Sequence, residues 1–589
     1  MEQINGIDLY QMFNYGTAQI LNQRKTLNDI NVFPVPDSDT GNNLASTMQA
    51  IAKQAKKDES FHHALDIISE SALYGARGNS GVIFAQFVNG LRIASKGKQS
   101  VSIEEFAEMV TESVKYTYES VSNPVEGTML TVIKDWANGL MNLVKKGING
   151  VKNVFEQAFQ SAKNSLEGTK EKLPVLKKND VVDSGAMGFV LFLQGINAYY
   201  NKEILEEFEY EEVELEHTHK HGEDVKFRYC TEGLVSASGD FLEKDLRNIL
   251  EPMGDSLIIA KGLNIFRIHI HTNQPEIVFQ ELKNFGRILT QKVDNMIQDI
   301  TLESVLSKTL VITDSIADID QDIINKENIV VVPISVHVDG IDYFDKLTIN
   351  NEILFDLIPK IKEYPTTASP SLKYITDLFD KYLEHFDNLL VIAVSGNLSV
   401  TQNMFRDAAK KCAREGKRIH VIDTLNNSIT EGLLVKKATT LLNKGHSLDE
   451  VINQIDKAKR KTSIIVCLNT FKYAVMGGRL PKVVGKIGNF FGLRPIMSLD
   501  KEGKGAAFGM ALSKKGITKK IVKLIKKEMA NDGIEAYGIV HCLNPKLAEE
   551  YKNQFTDLIG FPPAYITEVS SAVAIHSGIG TVAIGYIRK

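Results

Sequence analysis

Apolar residues recur at helical spacing from Leu9 to about Asn201. Leu9–Arg24, Asn42–Lys56, Phe61–Gly75, Ser80–Ala94, Ile103–Tyr118, Glu126–Lys146, Val151–Ser165 and Ser184–Tyr200 read as about eight helices with short connections, and strand signals are nearly absent. Lys202–Asp224 interrupts the pattern. It is mostly acidic, with His217, His219 and His221 alternating near its end, and reads as a solvated linker, although such a run can bind metal adventitiously. A smaller α/β region runs from Phe227 to about Ser304. From Lys308 the period changes to short apolar runs, among them Leu310–Ser315, Ile329–Val336, Leu389–Ser395, Ile419–Asp423 and Ser463–Cys467, several followed by helical stretches. That alternation predicts buried parallel strands in α/β units, with ligands at the strand C-terminal ends. The expected organisation is multidomain: a helical domain over 1–201, a linker over 202–226, an α/β middle domain over 227–305 and an α/β domain over 306–589.

Length and charge add bounds. A chain of 589 residues suggests about three or four domains. A hydrophobic content of 43%, a charged content of 24% and a net charge of −5 give no electrostatic case for nucleic acid. Cys230, Cys412, Cys467 and Cys542 are far apart and no secretory signal precedes them, so reduced thiols and a cytoplasmic location are expected. No apolar run approaches the roughly 18 residues of a spanning helix, so a transmembrane role is not expected.

The densest chemistry lies in Asn31-Val-Phe-Pro-Val-Pro-Asp37-Ser-Asp39-Thr40-Gly41-Asn42-Asn43-Leu44. Two prolines stiffen the approach, and Asp37 and Asp39 stand two residues apart, where two anions repel unless a cation sits between them. Mg²⁺ takes one or two carboxylates plus phosphate oxygens, and Thr40, Gly41 and Asn42 open a helix whose free N–H groups favour phosphate. An acidic N-cap in an ordinary turn is the alternative. Three further small-residue loops enter helices. They are Gly75-Ala-Arg-Gly-Asn79-Ser80-Gly81, where Asn79 and Ser80 offer donors, Pro124-Val-Glu-Gly127-Thr128-Met129, and Val182-Asp183-Ser-Gly185-Ala-Met-Gly188. Four such loops at helix N-termini can converge at one end of a bundle. In the middle region, Ile265–Asn273 reads as a strand whose alternation puts His269 and His271 on one face, where two histidines and a remote cysteine suit zinc, or simply hydrogen-bond at a strand end. In the last region polar residues gather at strand ends: Asp314-Ser315, Thr366-Thr367, Ser395 with Ser399, Gly477-Gly478-Arg479 and His576-Ser-Gly578. That half holds neither a complete Walker lysine loop nor a Gly-x-Gly-x-x-Gly fingerprint, so no nucleotide is placed there.

The first three motifs resemble the nucleotide-binding L subunit of dihydroxyacetone kinase and, more closely, the ATP-binding subunit of bacterial fatty acid kinase. The resemblance implies an eight-helix barrel in which Asp37 and Asp39, with Asn31, hold two Mg²⁺ ions against ATP, and Asn79, Ser80 and Thr128 lie on phosphates or adenine. Gly127, Met129, Asp183 and Gly185 join this cofactor set through their loops. The family usually has Gly where Ser38 stands, and Asp-Ala-Gly-Gly-Lys-Gly where Asp183–Gly188 stands. The middle region is similar to the middle domain of the same subunit, which implies zinc on Cys230, His269 and His271.

Thr309–Lys589 resembles the DegV family of fatty-acid-binding proteins, which includes the acyl carrier of fatty acid kinase. The resemblance implies a two-lobed α/β domain with an acyl chain inside, its carboxylate near Thr367, Ser395 or Ser399, and His576, and Arg479 close to the incoming phosphate. Here Ile316 replaces the usual Thr, Ala368-Ser369-Pro370 stands for Ser-Gln-Pro, Gly578-Ile-Gly580 stands for Gly-Pro-Gly, and the carrier arginine expected near Ala506–Gly509 is missing. Together the resemblances imply ATP-dependent phosphorylation of a carrier-bound long-chain fatty acid, which would feed phospholipid synthesis through acyltransferases at the membrane surface, in a chain that can pair as a homodimer. Asp37, Asp39, Arg479 and His576 would be catalytic. A polyol kinase such as dihydroxyacetone kinase, or a lipid-sensing protein that binds nucleotide without transfer, remain as alternatives.

Overall fold

The computed structural model describes residues 2–34, 38–205, 226–239, 241–303, 307–479 and 493–589. Contacts divide the chain into two compact units, 1–300 and 301–589.

In the first unit the helices are α1 (Gly6–Asn22), α2 (Arg24–Asp29), α3 (Thr40–Gln54), α4 (Phe61–Gly75), α5 (Gly78–Ala94), α6 (Ile103–Glu119), α7 (Met129–Lys145), α8 (Val151–Glu167), α9 (Thr169–Lys172), α10 (Pro174–Asn179) and α11 (Ser184–Tyr200). The expected helix from Glu126 begins only at Met129, because Gly127 takes a left-handed φ of 92° that ends the preceding loop. The three short helices α2, α9 and α10 are too brief to show a period in the sequence. Capping fixes the starts of the long ones: Asn5 and Asp8 exchange bonds at α1, as Ser102 and Glu105 do at α6. The eight long helices pack as a closed ring in the order α1, α3, α4, α5, α6, α7, α8, α11 and back to α1. Phe84, Phe87, Trp136, Phe155 and Phe189 fill the core they enclose. The ring closes tightly where α1 meets α11, since a Cβ on Gly195 would lie 2.4 Å from the Gly16 backbone. A pair of two-residue strands, β1 (Ile4–Asn5) and β2 (Ser100–Val101), adds a small antiparallel clasp.

The same unit contains an antiparallel sheet of β3 (Tyr229–Ala237), β4 (Gly254–Lys261), β5 (Ile265–Thr272) and β6 (Gly286–Asn295), in the order β4-β5-β3-β6. It packs on the helical ring. Ile258 and Ala260 belong to the ring's core cluster, Val121 bridges to Ile258, and Arg267 donates to the carbonyls of Leu73 and Tyr74 at the end of α4, each at 2.9 Å.

The second unit is α/β. The parallel strands expected from the apolar runs form a sheet of β7 (Thr309–Asp314), β8 (Val330–Val332), β12 (Asn388–Ala393) and β13 (Arg418–Asp423), ordered β13-β12-β7-β8. A three-stranded antiparallel sheet joins β9 (Ser335–Val338), β10 (Ile341–Phe344) and β11 (Thr366–Ala368). The other large sheet has β14 (Thr462–Cys467), β15 (Arg494–Leu499), β16 (Gly505–Ala511), β17 (Ile534–His541), β18 (Ile566–Glu568) and β19 (Val582–Arg588), and is mainly antiparallel. The Ser463–Cys467 run therefore lies in an antiparallel sheet, because its partner β19 comes from the end of the chain rather than from a βαβ crossover. Two separate cores, one around Phe379 and one around Tyr537, match these two sheets.

Candidate active site

An antiparallel ring directs alternate helices the same way. Here α3, α5, α7 and α11 all begin at one end, and their first residues are the four small-residue loops of the sequence. The sheet supplies the opposing wall. On β3, β5 and β6 the register sets Cys230 opposite His271 and Asp294, and Glu232 opposite His269 and Lys292. Successive strand residues alternate between faces, so these six polar residues share one face. They line a cavity of about 50 Å³ together with Asn31, Asp39, Thr40, Asn43, Gly78, Asn79 and Ser80. Phe33, Pro34, Asn79 and Ser80 also line a neighbouring cleft of about 300 Å³, with Thr128, Met129, Asp183 and Gly185 on one side and apolar Ile83, Val121 and Leu257 on the other. A small polar cavity beside a larger, part-apolar cleft suits a ligand with a polyanionic tail and a flat base.

Charges in the cavity are compensated. Burial alone would raise the Glu232 carboxyl, but Lys292, His269 and Arg267 together hold it well below the usual carboxylate range. Burial likewise opposes the charge on Lys292, and Asp294, 2.7 Å away, outweighs it with Glu232 and Cys230, so this ammonium is kept protonated. His271 is lowered by burial despite its contact with Asp255 at 3.3 Å. Burial and the neighbouring Glu232 push the Cys230 thiol up.

Two donor sets fit cations. Asp39 and Asn31 stand beside Asn43 and Asn79, whose Oδ1 atoms are buried without a hydrogen-bond donor, an oxygen-rich set suited to Mg²⁺. Cys230, His269 and His271 bring one ligand atom each within 4.8 Å of one another, the only such group among the described residues. Nε2 of His269 is buried without a partner. Three nitrogen and sulfur ligands with room for a fourth suit Zn²⁺.

The structure sorts the expected residues. Asn31, Asp39, Thr40, Asn79, Ser80, Thr128, Met129, Asp183, Gly185, Cys230, His269 and His271 line the cavity or the cleft. Asp37, His217, His219 and His221 lie outside the described residues. Gly41, Asn42 and Gly127 line neither space. Gly41 instead allows α3 to approach α2, where a Cβ would lie 2.1 Å from the Arg24 carbonyl, and Asn42 donates its N–H to Asn28. The Gly127 N–H goes to Thr131 Oγ1 at 2.8 Å. Asp183 caps α11, accepting the Ala186 N–H at 2.7 Å, and its complete burial raises its carboxyl to about 7. Ser38 has a φ of 52°, the left-handed conformation that a glycine would take without cost.

In the second unit Asp314 is fully buried and accepts the N–H groups of Ile316 and Val394, while Ser315 donates to Asp345 at 2.6 Å. Ser395 donates to the Gly503 carbonyl at 2.9 Å, and Ser399 sits 2.8 Å from Thr401, whose hydroxyl donates on to Ser369. Thr367 is exposed on β11. His576 backs onto Gly477, where a Cβ would be 2.2 Å from its Nδ1, and burial and the charge of Arg479 lower it to about 4, so the ring is neutral at pH 7. Gly478 has a φ of 73° and Arg479 is exposed.

Glu232, Lys292, Asp294 and Asn43 were not anticipated. Each strand residue had a signal, since charged residues two apart on a strand share a face. The pairing of β3 with both neighbours, which makes them one cluster, is not written in any one segment.

Comparison with known proteins fits this arrangement. A DAK2 domain matches residues 34–198, the FakA-like middle domain of fatty acid kinases matches 226–302, and the DegV family of uncharacterised proteins matches 308–589. The chain thus carries a kinase-type helical domain and its companion middle domain joined to a DegV domain, the combination of a fatty acid kinase fused to a DegV fatty-acid-binding domain. Among curated relatives, an uncharacterized protein of Staphylococcus haemolyticus is 33% identical over 309 residues, 50% of this chain and 56% of that protein. Protein YloV of Bacillus subtilis is 32% identical over 322 residues, 52% of this chain and 57% of its own length. The chain therefore spans about half the length of the curated relatives it matches. Among solved structures, a fatty acid binding DegV family protein from Streptococcus agalactiae is 26% identical with a TM-score of 0.43, covering 48% of this chain and 99% of that one. A DegV family protein from Thermus thermophilus, described as fatty acid binding, is 25% identical with a TM-score of 0.44 over 48% of this chain and 99% of that one. No helix among the described residues is long and apolar enough to cross a membrane.

Proposed function

We propose that the chain transfers the γ-phosphoryl group of ATP to the carboxylate of a long-chain fatty acid held by its DegV domain, giving acyl phosphate and ADP. The observation that carries this reading is the convergence of Asp39, Asn79 and Ser80 in a polar cavity beside the cleft of Thr128 and Asp183. A fatty acid carboxylate is already ionised at pH 7, so its oxygen attacks the γ-phosphorus without a general base as the bond to the β-phosphate oxygen breaks. Alignment and charge neutralisation do most of the catalytic work.

In this reading the α5 N-terminus and Asn79 and Ser80 seat the phosphate tail, and Ile83, Val121 and Leu257 cover the base. Asp39, Asn31, Asn43 and Asn79, with Asp37, would hold Mg²⁺, which neutralises β and γ oxygens when bound. Lys292 adds a fixed positive charge in the same cavity. Cys230, His269 and His271 would hold Zn²⁺. In the DegV domain Ser395, Ser399 and Thr367 would orient the carboxylate, neutral His576 would donate one N–H to it, and Arg479 would meet the transferred phosphoryl group. The test offers oleate, glycerol and dihydroxyacetone in turn with Mg·ATP, measures ADP and traps acyl phosphate with hydroxylamine. Turnover and hydroxamate with oleate alone are expected. ADP formation with glycerol or dihydroxyacetone, or none with any of the three, would overturn the reading in favour of a polyol kinase or a non-catalytic binder.

A further inference from the structure

One carboxylate ties the two donor sets of the cavity together. Glu232 Oε1 accepts the Gly78 N–H at 2.6 Å and stands 3.3 Å from Nδ1 of His269. Its other oxygen lies 3.6 Å from Arg267, which holds the Leu73 and Tyr74 carbonyls at the end of α4. Both flanks of the short connection from α4 to α5 are thus anchored through Glu232, at the peptide that begins the glycine loop. That loop has little freedom to adjust by itself. Gly78 has a φ of 54°, and a Cβ there would lie 2.1 Å from Nδ2 of Asn43, another wall of the cavity. A shift of His269 therefore moves the oxygen that orients Gly78, and with it the N–H groups facing a phosphate.

We propose that Glu232 is a positioning residue that couples metal occupancy of Cys230, His269 and His271 to nucleotide binding at the Gly78–Ser80 loop, each ligand tightening the other. The inference rests on the nucleotide and metal reading above. A metal on the histidine fixes its ring and makes its remaining N–H a stronger donor to Glu232, which holds the loop in its binding form. Reciprocity follows from linkage: whatever factor metal adds to nucleotide affinity, nucleotide adds to metal affinity.

The experiment uses the full chain, stripped of metal by a chelator and then reloaded with zinc. A non-hydrolysable ATP analogue with Mg²⁺ is titrated calorimetrically into both forms, and zinc affinity is measured by competition with and without the analogue. In the wild type both affinities should rise by about tenfold, within the usual range of coupling. Glu232→Gln keeps an acceptor for Gly78 but removes the charge, and should bind both ligands with the coupling reduced to within about twofold. Equal analogue affinity in the metal-free and zinc-loaded wild type would overturn the proposal without recourse to any variant, as would undiminished coupling in Glu232→Gln. Both ligands binding without coupling leaves the proposed function standing, whereas failure of the analogue to bind any form removes both.

Discussion

Each unit buries a group of carboxylates, and the two groups are neutralised by different means. In the first, Glu232 and Asp294 share a strand face with Lys292, and Arg267 lies close by, so Glu232 stays ionised despite complete burial. In the second, Asp314, Asp318, Asp345 and Glu431 are buried near one another, and Lys346, 3.0 Å from Asp318, is the cation that meets them. Backbone N–H groups and the hydroxyls of Ser315 and Ser428 do most of the rest. Burial wins there: Asp314 is raised to about 7, Asp345 to about 6, and Glu431 well above its usual value. The comparison teaches that a buried acid does not by itself mark a reactive site. The first group faces a cavity and keeps its charge; the second ties the loops at the ends of β7 and β12 together and tends towards neutrality.

The strongest way to break this contrast is Asp39→Asn. If charge facing the first cavity serves phosphoryl transfer, losing one metal-ligand charge should cost about a hundredfold to a thousandfold in acyl phosphate formation, while bound fatty acid, extracted and weighed by mass spectrometry, stays at wild-type level. Near-wild-type turnover would detach Asp39 from catalysis. Cys230→Ala comes next. It should abolish zinc by elemental analysis and lower the thermal stability of zinc-supplied protein by about 3 kcal/mol, the linkage expected at roughly a hundredfold excess over the dissociation constant. Equal zinc in variant and wild type would assign the metal to other residues.

How far the sequence led depends on whether a feature was local. Helix starts, the eight long helices and the four small-residue loops follow from spacing and caps, which act within a few residues, and the convergence of those loops follows once alternate helices of the ring are seen to start together. His269 and His271 were legible from strand alternation, and Cys230 only through resemblance. Glu232 and Lys292 were not read, because they meet through pairing of β3 with β6, about 60 residues apart in the chain. The mainly antiparallel sheet of the second unit was hidden for the same reason: Ser463–Cys467 looks like any buried strand, and its direction relative to β19 is set by the distant C-terminus.

The second group can be tested through pH. Asp314 binds its proton more tightly when folded than unfolded, so its share of stability is complete below about pH 4 and is lost as pH rises to about 7. Asn at this position cannot ionise. Asp314→Asn should therefore gain on the wild type as pH rises from 4 to 7, by on the order of 2 kcal/mol, and the gain should level off above pH 7. Thermal unfolding of the full chain at steps of pH checks this. A difference that stayed flat, or that favoured the wild type more at high pH, would mean that the carboxylate is ionised in the folded protein and that the two groups are alike.

The smallest expected effect concerns the approach to the first cavity. Ser38 holds a φ of 52°, and a side chain in the left-handed region costs about 1 kcal/mol that glycine does not incur. Glycine also loses more freedom on folding, which offsets part of the gain, so Ser38→Gly should stabilise the protein by less than about 1 kcal/mol. Its use is to separate backbone geometry from charge. Ser38 is buried next to Asp39, and its conformation helps decide where that carboxylate points, yet the substitution changes no charge in the cavity. If compensated charge is what distinguishes the first group, Ser38→Gly should leave turnover within about threefold of wild type while raising the unfolding temperature slightly. A loss of turnover comparable to that of Asp39→Asn would instead mean that the serine itself, through its hydroxyl or the strained turn it sustains, is part of the site, and the contrast between the units would have to be redrawn around backbone geometry rather than charge.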